Sequence, residues 1–502
     1  MTTDCQTQVV LGNRYRPTGA LAVGFWFWRI RGVLGGTPGS MAGPTWQFTV
    51  GARDSALDTS WGTQADFDGD GRAELIVGSP NAAPDSRTNA GTVTIYSGAS
   101  GGIRTTSPTV LSGARSGDNF GRSVASAGDV NGDGFADLLI GANNAVTSAG
   151  FNVGNISVYL GGPSGISSVA SVLIEGSFAG GNFGWSAVAA GDLNGDGFAD
   201  IAVGAPTDST SGRRSAGTVR IFLGSRTGIN PMAAVVIHGQ SADDQLGSAI
   251  AGVGDLNGDG FSDLALGAPT ASPRGLSQAG IVQIHHGGPL ATNPMPLLVL
   301  EGIATNDRFG ASIAGGDVNG DGYADLLIGA PNASPMGRSG AGSASLFTGG
   351  SSGIVRAMFV TLAGGTAGDR AGDRVAVGDL SGDGFADIAV GTPMASPAGT
   401  MHAGSVGIYL GRDIGPSNSA TLVLNGVDVG DDFGRSLTCT GDHNGDGMLD
   451  LVVGSQGAAF STPTFAGNAN IFSGTRAGTT SVPMTVISGM RAGDNFALAI
   501  GN

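Results

Sequence analysis

Seven nine-residue segments carry the densest chemistry in the sequence. Each places oxygen-bearing side chains at positions one, three, five and nine and a glycine at six. They are Asp66, Asp68, Asp70 and Glu74; Asp129, Asn131, Asp133 and Asp137; Asp192, Asn194, Asp196 and Asp200; Asp255, Asn257, Asp259 and Asp263; Asp317, Asn319, Asp321 and Asp325; Asp379, Ser381, Asp383 and Asp387; and Asp442, Asn444, Asp446 and Asp450. A hard divalent cation needs such an all-oxygen set, and the glycine makes the sharp turn that lets alternate side chains converge. Position seven adds a backbone carbonyl, from Arg72, Phe135, Phe198, Phe261, Tyr323, Phe385 and Met448. Position twelve, where a helix-flanked calcium loop carries a bidentate glutamate, is Ile140 or Val203 in an apolar run, so position nine is expected to donate directly.

These segments hold 22 of the 40 carboxylates. Without a cation the grouped charges would repel one another in a partly desolvated turn. Seven divalent ions would bring the formal charge from -16 to -2. Asn-Gly and Asp-Gly also form ordinary hairpin turns, so one such segment alone would not separate a metal loop from a turn; seven with every ligand position filled point to metal. Irregular, flexible oxygen sites favour calcium over magnesium, with affinities of roughly 0.1–1 mM as in weak extracellular modules. That places the chain in a calcium-rich setting, secreted or at the cell surface. Ser381 should weaken the sixth loop, whereas Asp68 and Glu74 add a charge to the first and lengthen one arm.

The elements that position these loops follow from their spacing. The loops begin at residues 66, 129, 192, 255, 317, 379 and 442, in steps of 62 or 63. Each lies in a longer unit of four short Val-, Ile-, Leu- and Tyr-rich runs separated by Gly, Asn and Ser, which reads as a four-stranded antiparallel sheet. One such sheet cannot cover both its faces, so neighbours must stack. Seven stacked sheets close into an all-β, seven-bladed β-propeller over residues 53–502. Second strands such as Asp200–Gly204 and Asp325–Gly329 are almost wholly apolar, as a sheet covered on both sides requires. Ring closure has two readings. Asn495–Ile500 copies the start of a unit and either supplies the innermost strand of the first blade, where Ser60–Gln64 is a poor candidate, or is the remnant of an eighth repeat.

Residues 1–52 lie outside the repeat. Gly24–Arg31 alternates, with Trp26, Trp28 and Ile30 on one face, and Thr45–Val50 reads as a second strand. The pair resembles the last two strands of a truncated fibronectin type III-like module. The first twenty residues lack the basic start and apolar core of a secretory leader, so the expectation is a mature chain or a missing start.

Composition excludes several functions. Ninety-two glycines and 21 prolines among 502 residues rule against a helical bundle. All 24 basic residues are arginine, and the acidic balance disfavours nucleic-acid binding. No apolar run is long enough to span a membrane; the longest, Leu21–Ile30, contains Arg29. Cys5 and Cys439 are too few for a disulfide framework and are either free thiols or one pair.

Flanking the loops are recurring Phe-Gly pairs (Phe120-Gly121, Phe183-Gly184, Phe309-Gly310, Phe433-Gly434) and Gly-Ala-Pro triplets (Gly204-Ala-Pro206, Gly267-Ala-Pro269, Gly329-Ala-Pro331). These resemble the FG-GAP repeats of integrin alpha-subunit propellers, in the form found in secreted bacterial proteins. Departures occur at Leu246-Gly247, Ala371-Gly372, Gly78-Ser-Pro80, Gly141-Ala-Asn143, Gly391-Thr-Pro393 and Gly454-Ser-Gln456. The resemblance implies ligand binding on the face opposite the calcium loops. On that face the connections between second and third strands bring Arg87, Arg213, Arg214, Arg274 and Arg338, a partly basic surface for an acidic polypeptide or glycan, or solvated arginines that only aid solubility.

No catalytic constellation stands out, and the chain is expected not to be an enzyme. His443 occupies the variable second position of its loop, and His285 and His286 should point to opposite sheet faces. The expected function is a calcium-binding adhesion or protein-interaction module with an extracellular protein or glycan partner. The alternatives are a carbohydrate-binding propeller, which only Trp61 and Trp185 in the ring would serve as aromatic platforms, or a non-catalytic module of a polysaccharide-degrading enzyme.

Overall fold

The computed structural model describes residues 65–501 apart from 211, 290, 356–357, 458–465 and 492, together with the backbone of four short strands between residues 24 and 50. Gly24–Trp28 pairs antiparallel with Trp46–Val50, and Arg31–Leu34 with Thr37–Ala42. Their side chains, the Ser60–Gln64 candidate and Cys5 lie outside the described residues, whereas Cys439 is a buried free thiol.

The rest is a seven-bladed propeller of four-stranded antiparallel sheets. The second blade is typical: Phe120–Gly128, Asp137–Ala142, Asn155–Tyr159 and Val172–Glu175 run outward from the axis. Its second strand is buried at every residue, because the neighbouring blades cover both of its faces. The fourth strand alternates and leaves Leu173 exposed at the rim. Apolar clusters therefore fill the gaps between adjacent blades; one joins Ile76, Val93 and Leu111 of the first blade to Phe120, Leu138 and Ile140 of the second.

The motif glycines explain this stacking. A Cβ on Gly141 would lie 2.3 Å from the carbonyl oxygen of Gly184 in the next blade, and one on Gly204 would lie 2.2 Å from that of Gly247. The glycine opening each Gly-Ala-Pro triplet and the glycine of the following Phe-Gly pair are thus two sides of one close backbone approach, which any side chain would force apart.

The tail closes the ring. Ala499 and Ile500 pair antiparallel with Gly78 and Val77, so the last residues form the innermost strand of the first blade. Phe496 stands where the other units have their Phe-Gly phenylalanine, buried against Leu75, Val77, Ile471 and Ile487.

Candidate metal centres

Six loops join a first strand to a second and the first loop leads into the second strand of its blade at the same place, so in the described blades all seven lie on one rim. A bulge aims the loop in the second blade: Ser126 pairs with Leu138 and Gly128 with Asp137, leaving Ala127 unpaired, and Gly128 adopts φ +72°. Backbone amides then fold the turn onto its own carboxylates. Asp129 Oδ1 accepts from the N–H groups of Gly132 and Asp133 (2.6 and 3.1 Å), and its Oδ2 from Gly134 (2.9 Å). Asn131 Oδ1 accepts from Asp133 N–H, and Asp133 Oδ1 from Phe135 N–H. Asp192, Asp255, Asp317 and Asp442 repeat the position-one pattern.

Position nine closes the loop from the strand side. Asp137 Oδ2 accepts from Val130 N–H at 2.9 Å, and Oδ1 from Gly161 N–H at 2.9 Å. Asp200, Asp263, Asp325 and Asp450 make the same two bonds to their own loop and to a glycine after the third strand. These carboxyls are buried, and desolvation is the main cause that pushes Asp137 and Asp200 up to about 8 and Asp263, Asp325, Asp387 and Asp450 up to about 7, against the pull of the donating amides. Burial also raises Asp66, Asp129, Asp192, Asp317 and Asp442 at position one.

The first loop gives the clearest test of fit to a cation. Ligand oxygens of Asp66, Asp68 and Glu74 lie within 4.8 Å of one another. Glu74 Oε2 accepts from Phe67 N–H at 2.7 Å, but Oε1 is buried without a hydrogen-bond partner. A buried, unsatisfied carboxylate oxygen beside two further carboxylates is costly unless a cation compensates it. Its pKa is pushed up to about 8, by burial first and then by its acidic neighbours. The donor set fits a divalent ion held by oxygen.

The sixth loop departs, as its serine suggested. Leu380 N–H turns back to Gly378 O, so Ser381 N–H takes over the bond to Asp387, and the bonds to Asp379 from Asp383 and Gly384 are 3.2 Å.

Two features of the rim escaped sequence reasoning. The loops are bonded in series: Ala136 N–H donates to Asp66 O (3.1 Å), Ala199 to Asp129 (3.0 Å), Ser262 to Asp192 (3.1 Å), Ala324 to Asp255 (3.0 Å), Ala386 to Asp317 (2.8 Å), Leu449 to Asp379 (3.4 Å) and Ala73 to Asp442 (3.0 Å). Position-seven side chains also cover the preceding loop. A Cβ on Gly69 would meet Phe135 at 2.8 Å, and Cβ atoms on Gly195, Gly258 and Gly320 would meet Phe261, Tyr323 and Phe385. The recurring aromatic at position seven was the available signal.

On the opposite face, three of the five connection arginines are paired: Arg87 with Asp85 (3.0 Å), Arg214 with Asp243 (3.0 Å) and Arg274 with Glu301 (2.7 Å). The histidines act locally: His285 Nδ1 lies 2.9 Å from Asn293 O, whereas His286 Nδ1 lies 2.7 Å from Asn257 Nδ2. Among the described residues no helix is long and apolar enough to cross a membrane.

Comparison with known proteins agrees with this construction. The FG-GAP repeat model matches residues 60–96, 120–159, 183–222, 246–285, 309–347 and 371–409. The chain is 36% identical over 220 residues to integrin alpha-V of Gallus gallus, covering 42% of this chain and 20% of that protein. It is 38% identical over 166 residues to integrin alpha-7 of Rattus norvegicus, covering 32% and 14%. A phosphatidylinositol-glycan-specific phospholipase D of Bos taurus is 36% identical over 179 residues, covering 34% and 21%. The chain spans about a fifth or less of the length of these relatives. Six matched repeats and a seventh unit built the same way in one closed ring make this an FG-GAP repeat protein, with a β-propeller resembling that of the integrin alpha subunits.

Proposed function

We propose that the chain acts outside the cell, secreted or surface-displayed, as a calcium-stabilised propeller serving as an adhesion or protein-interaction module without catalytic activity of its own. One observation carries this reading: carboxylate loops of one design, bonded in series into a continuous rim, with buried carboxyls that an ion would compensate. Calcium suits them because they combine three or four acidic side chains with turn carbonyls in an irregular, oxygen-only set. Asp, Asn, Ser and Glu at positions one, three, five and nine, with the position-seven carbonyl, would hold the ion; its role is to neutralise the rim and lock the turns. The likeness to integrin alpha subunits supports a protein ligand.

The reading is tested by titrating metal-free protein with calcium and with luminescent terbium, and by capturing partners from extracellular material with and without chelator. Saturable binding at several sites, a raised melting temperature and chelator-sensitive capture are expected. A melting temperature indifferent to calcium would overturn the metal claim, and capture indifferent to chelator would overturn its link to adhesion.

A further inference from the structure

The axial mouth opposite the calcium rim is basic although the whole chain carries a formal charge of -16. The residue after each Phe-Gly pair, or after its variant, sits where a first strand begins, and contacts link these positions around the axis. Arg122 stacks over the ring of Trp185 in the next blade, 4.0 Å from its centroid. Arg435 reaches Asp373 of the preceding blade at 3.4 Å. Ser123, Ser186, Ser312 and Ser436 occupy the next position and bridge to a carbonyl of the following blade. In the sixth blade that position is Arg374, whose guanidinium donates instead to Asp373 O at 2.8 Å.

The guanidinium groups crowd one another. Burial is the main cause that pushes Arg122 down to about 10, and the charges of Arg374 and Arg435 add to it. Burial likewise lowers Arg374; Asp373 opposes this, and Arg435 and Arg370 reinforce it. Arg122 and Arg374 nonetheless stay protonated at neutral pH. Asp373 is shared between Arg370 (3.0 Å) and Arg435. Among the described residues the Arg122 guanidinium makes no ion pair and no hydrogen bond, and its one described side-chain partner is the Trp185 ring.

An excess of forked donors at one mouth matches a carboxylate, which a guanidinium holds through two parallel bonds. Apolar surface lies on the same face. Phe151 is 77% exposed and Phe178 is 47% exposed, on adjoining connections of the second and third blades tied by the bond from Gly180 N–H to Phe151 O at 3.0 Å. A bare anion would leave those rings uncovered, whereas an acidic residue with apolar neighbours on a protruding protein segment would use both.

We propose that the axial mouth opposite the calcium loops is a receptor for the carboxylate of an apolar-flanked acidic residue on a partner protein, held by Arg122, Arg374 and Arg435. This rests on the protein-interaction reading above and adds the chemistry of the ligand. The probe is an acetylated, amidated Gly-Leu-Glu-Leu-Gly peptide, titrated calorimetrically into the full calcium-loaded chain beside its Gln counterpart and a glucuronate oligosaccharide. Saturable binding of the Glu peptide is expected, about tenfold or more tighter than the Gln form. Arg122→Gln and Arg435→Gln should each weaken it by about tenfold, as loss of a charge-assisted pair does. Arg435→Lys keeps the charge and should lose less, and melting temperatures check that each variant folds. Equal binding of the Gln peptide, indifference to both Gln variants in folded protein, no saturable binding, or preference for the oligosaccharide would each overturn the proposal. Terbium luminescence on the same samples separates the two claims: calcium-dependent capture that survives the arginine changes leaves the adhesion reading standing without this one.

Discussion

The main-chain N–H of Ala73 donates to the carbonyl oxygen of Asp442 at 3.0 Å, joining the first acidic loop to the seventh, 369 residues apart in sequence. His443 Nδ1 lies 2.8 Å from Ala73 O, and since a carbonyl only accepts, that nitrogen carries the proton. Burial pushes His443 down to about 4, so the ring is neutral at physiological pH. The seam between the terminal blades is therefore stitched at the rim by this bond, by a second backbone bond from Ala99 N–H to His443 O at 3.0 Å and by the imidazole, and on the inside by the tail strand.

Replacing His443 tests the outer stitch. His443→Leu keeps the volume but leaves Ala73 O without its imidazole donor, a loss of about 1–3 kcal/mol for a buried polar group. Differential scanning calorimetry should show a lowered melting temperature. Because the folded pKa lies below the usual value near 6.5, the histidine also makes stability fall as pH drops from about 6.5 towards 4. The variant should lose that part of the acid sensitivity. An unchanged transition across this range would remove His443 from the seam.

Phe496→Ala tests the inner closure. Truncating this buried ring should cost about 3–5 kcal/mol, as for other core phenylalanines. Hydrogen exchange should quicken at Val77 and Gly78, which pair with Ile500 and Ala499. Unaltered exchange there would mean that the tail is not needed to hold the first blade.

The blades and loops were legible because they repeat: the 62- or 63-residue step, the apolar second strands and the filled ligand positions each recur. The tail closure could be seen as one of two readings, since Asn495–Ile500 copies a strand start but sequence cannot say which sheet takes it. Contacts between units were harder to foresee. Ala136 N–H bonds to Asp66 O of the preceding loop, and Phe135 covers Gly69 in another blade. Homology of position singled out the arginines of the strand 2–3 connections, Arg87, Arg213, Arg214, Arg274 and Arg338. Of the five that it gathered, Arg87, Arg214 and Arg274 are ion-paired, and it gave no sign that Arg122, Arg374 and Arg435 stand around one axis although they lie in the second, sixth and seventh units.

Metal-free protein should lose stability as pH rises. The carboxyls of Glu74 and Asp137 are raised to about 8 and that of Asp263 to about 7, so between about pH 4 and 8 the folded chain keeps protons that the unfolded chain releases. Stability from these groups is full below the unfolded value near 4 and falls as pH climbs to the folded values. Calcium requires the ionised form, so its affinity should rise over the same range, with proton release on binding. Melting curves with and without calcium from pH 5 to 8 should diverge upward; a metal-free melting temperature that climbs with pH would refute the assignment.

Ser381→Asn should strengthen the sixth site. Asparagine supplies the Oδ1 that in other loops accepts the position-five N–H, as Asn319 does from Asp321 at 2.9 Å. It restores the longer arm at position three. Terbium luminescence should show about a two- to tenfold gain at one site, within the range over which ligand changes tune such loops. No gain would mean that the displaced turn at Leu380, rather than the short serine, limits binding.

Serial bonding of the loops predicts that damage to one spreads to its neighbours. The position-one carbonyl of each loop is the acceptor for the next, and position-seven rings such as Tyr323 lie on the preceding loop's glycine, here Gly258. Asp255→Ala removes the carboxylate that organises the fourth loop and should loosen the fifth through the bond from Ala324 N–H to Asp255 O. Hydrogen exchange in calcium should then quicken at Gly320 and Gly322 of the fifth loop as well as at Gly258, and calcium affinity should fall at more than one site. The first loop, across the ring, should exchange as before. If only the fourth loop responds, the sites are independent and the rim bonds serve the fold alone; if all respond equally, the substitution has disturbed the whole propeller rather than one link in its rim.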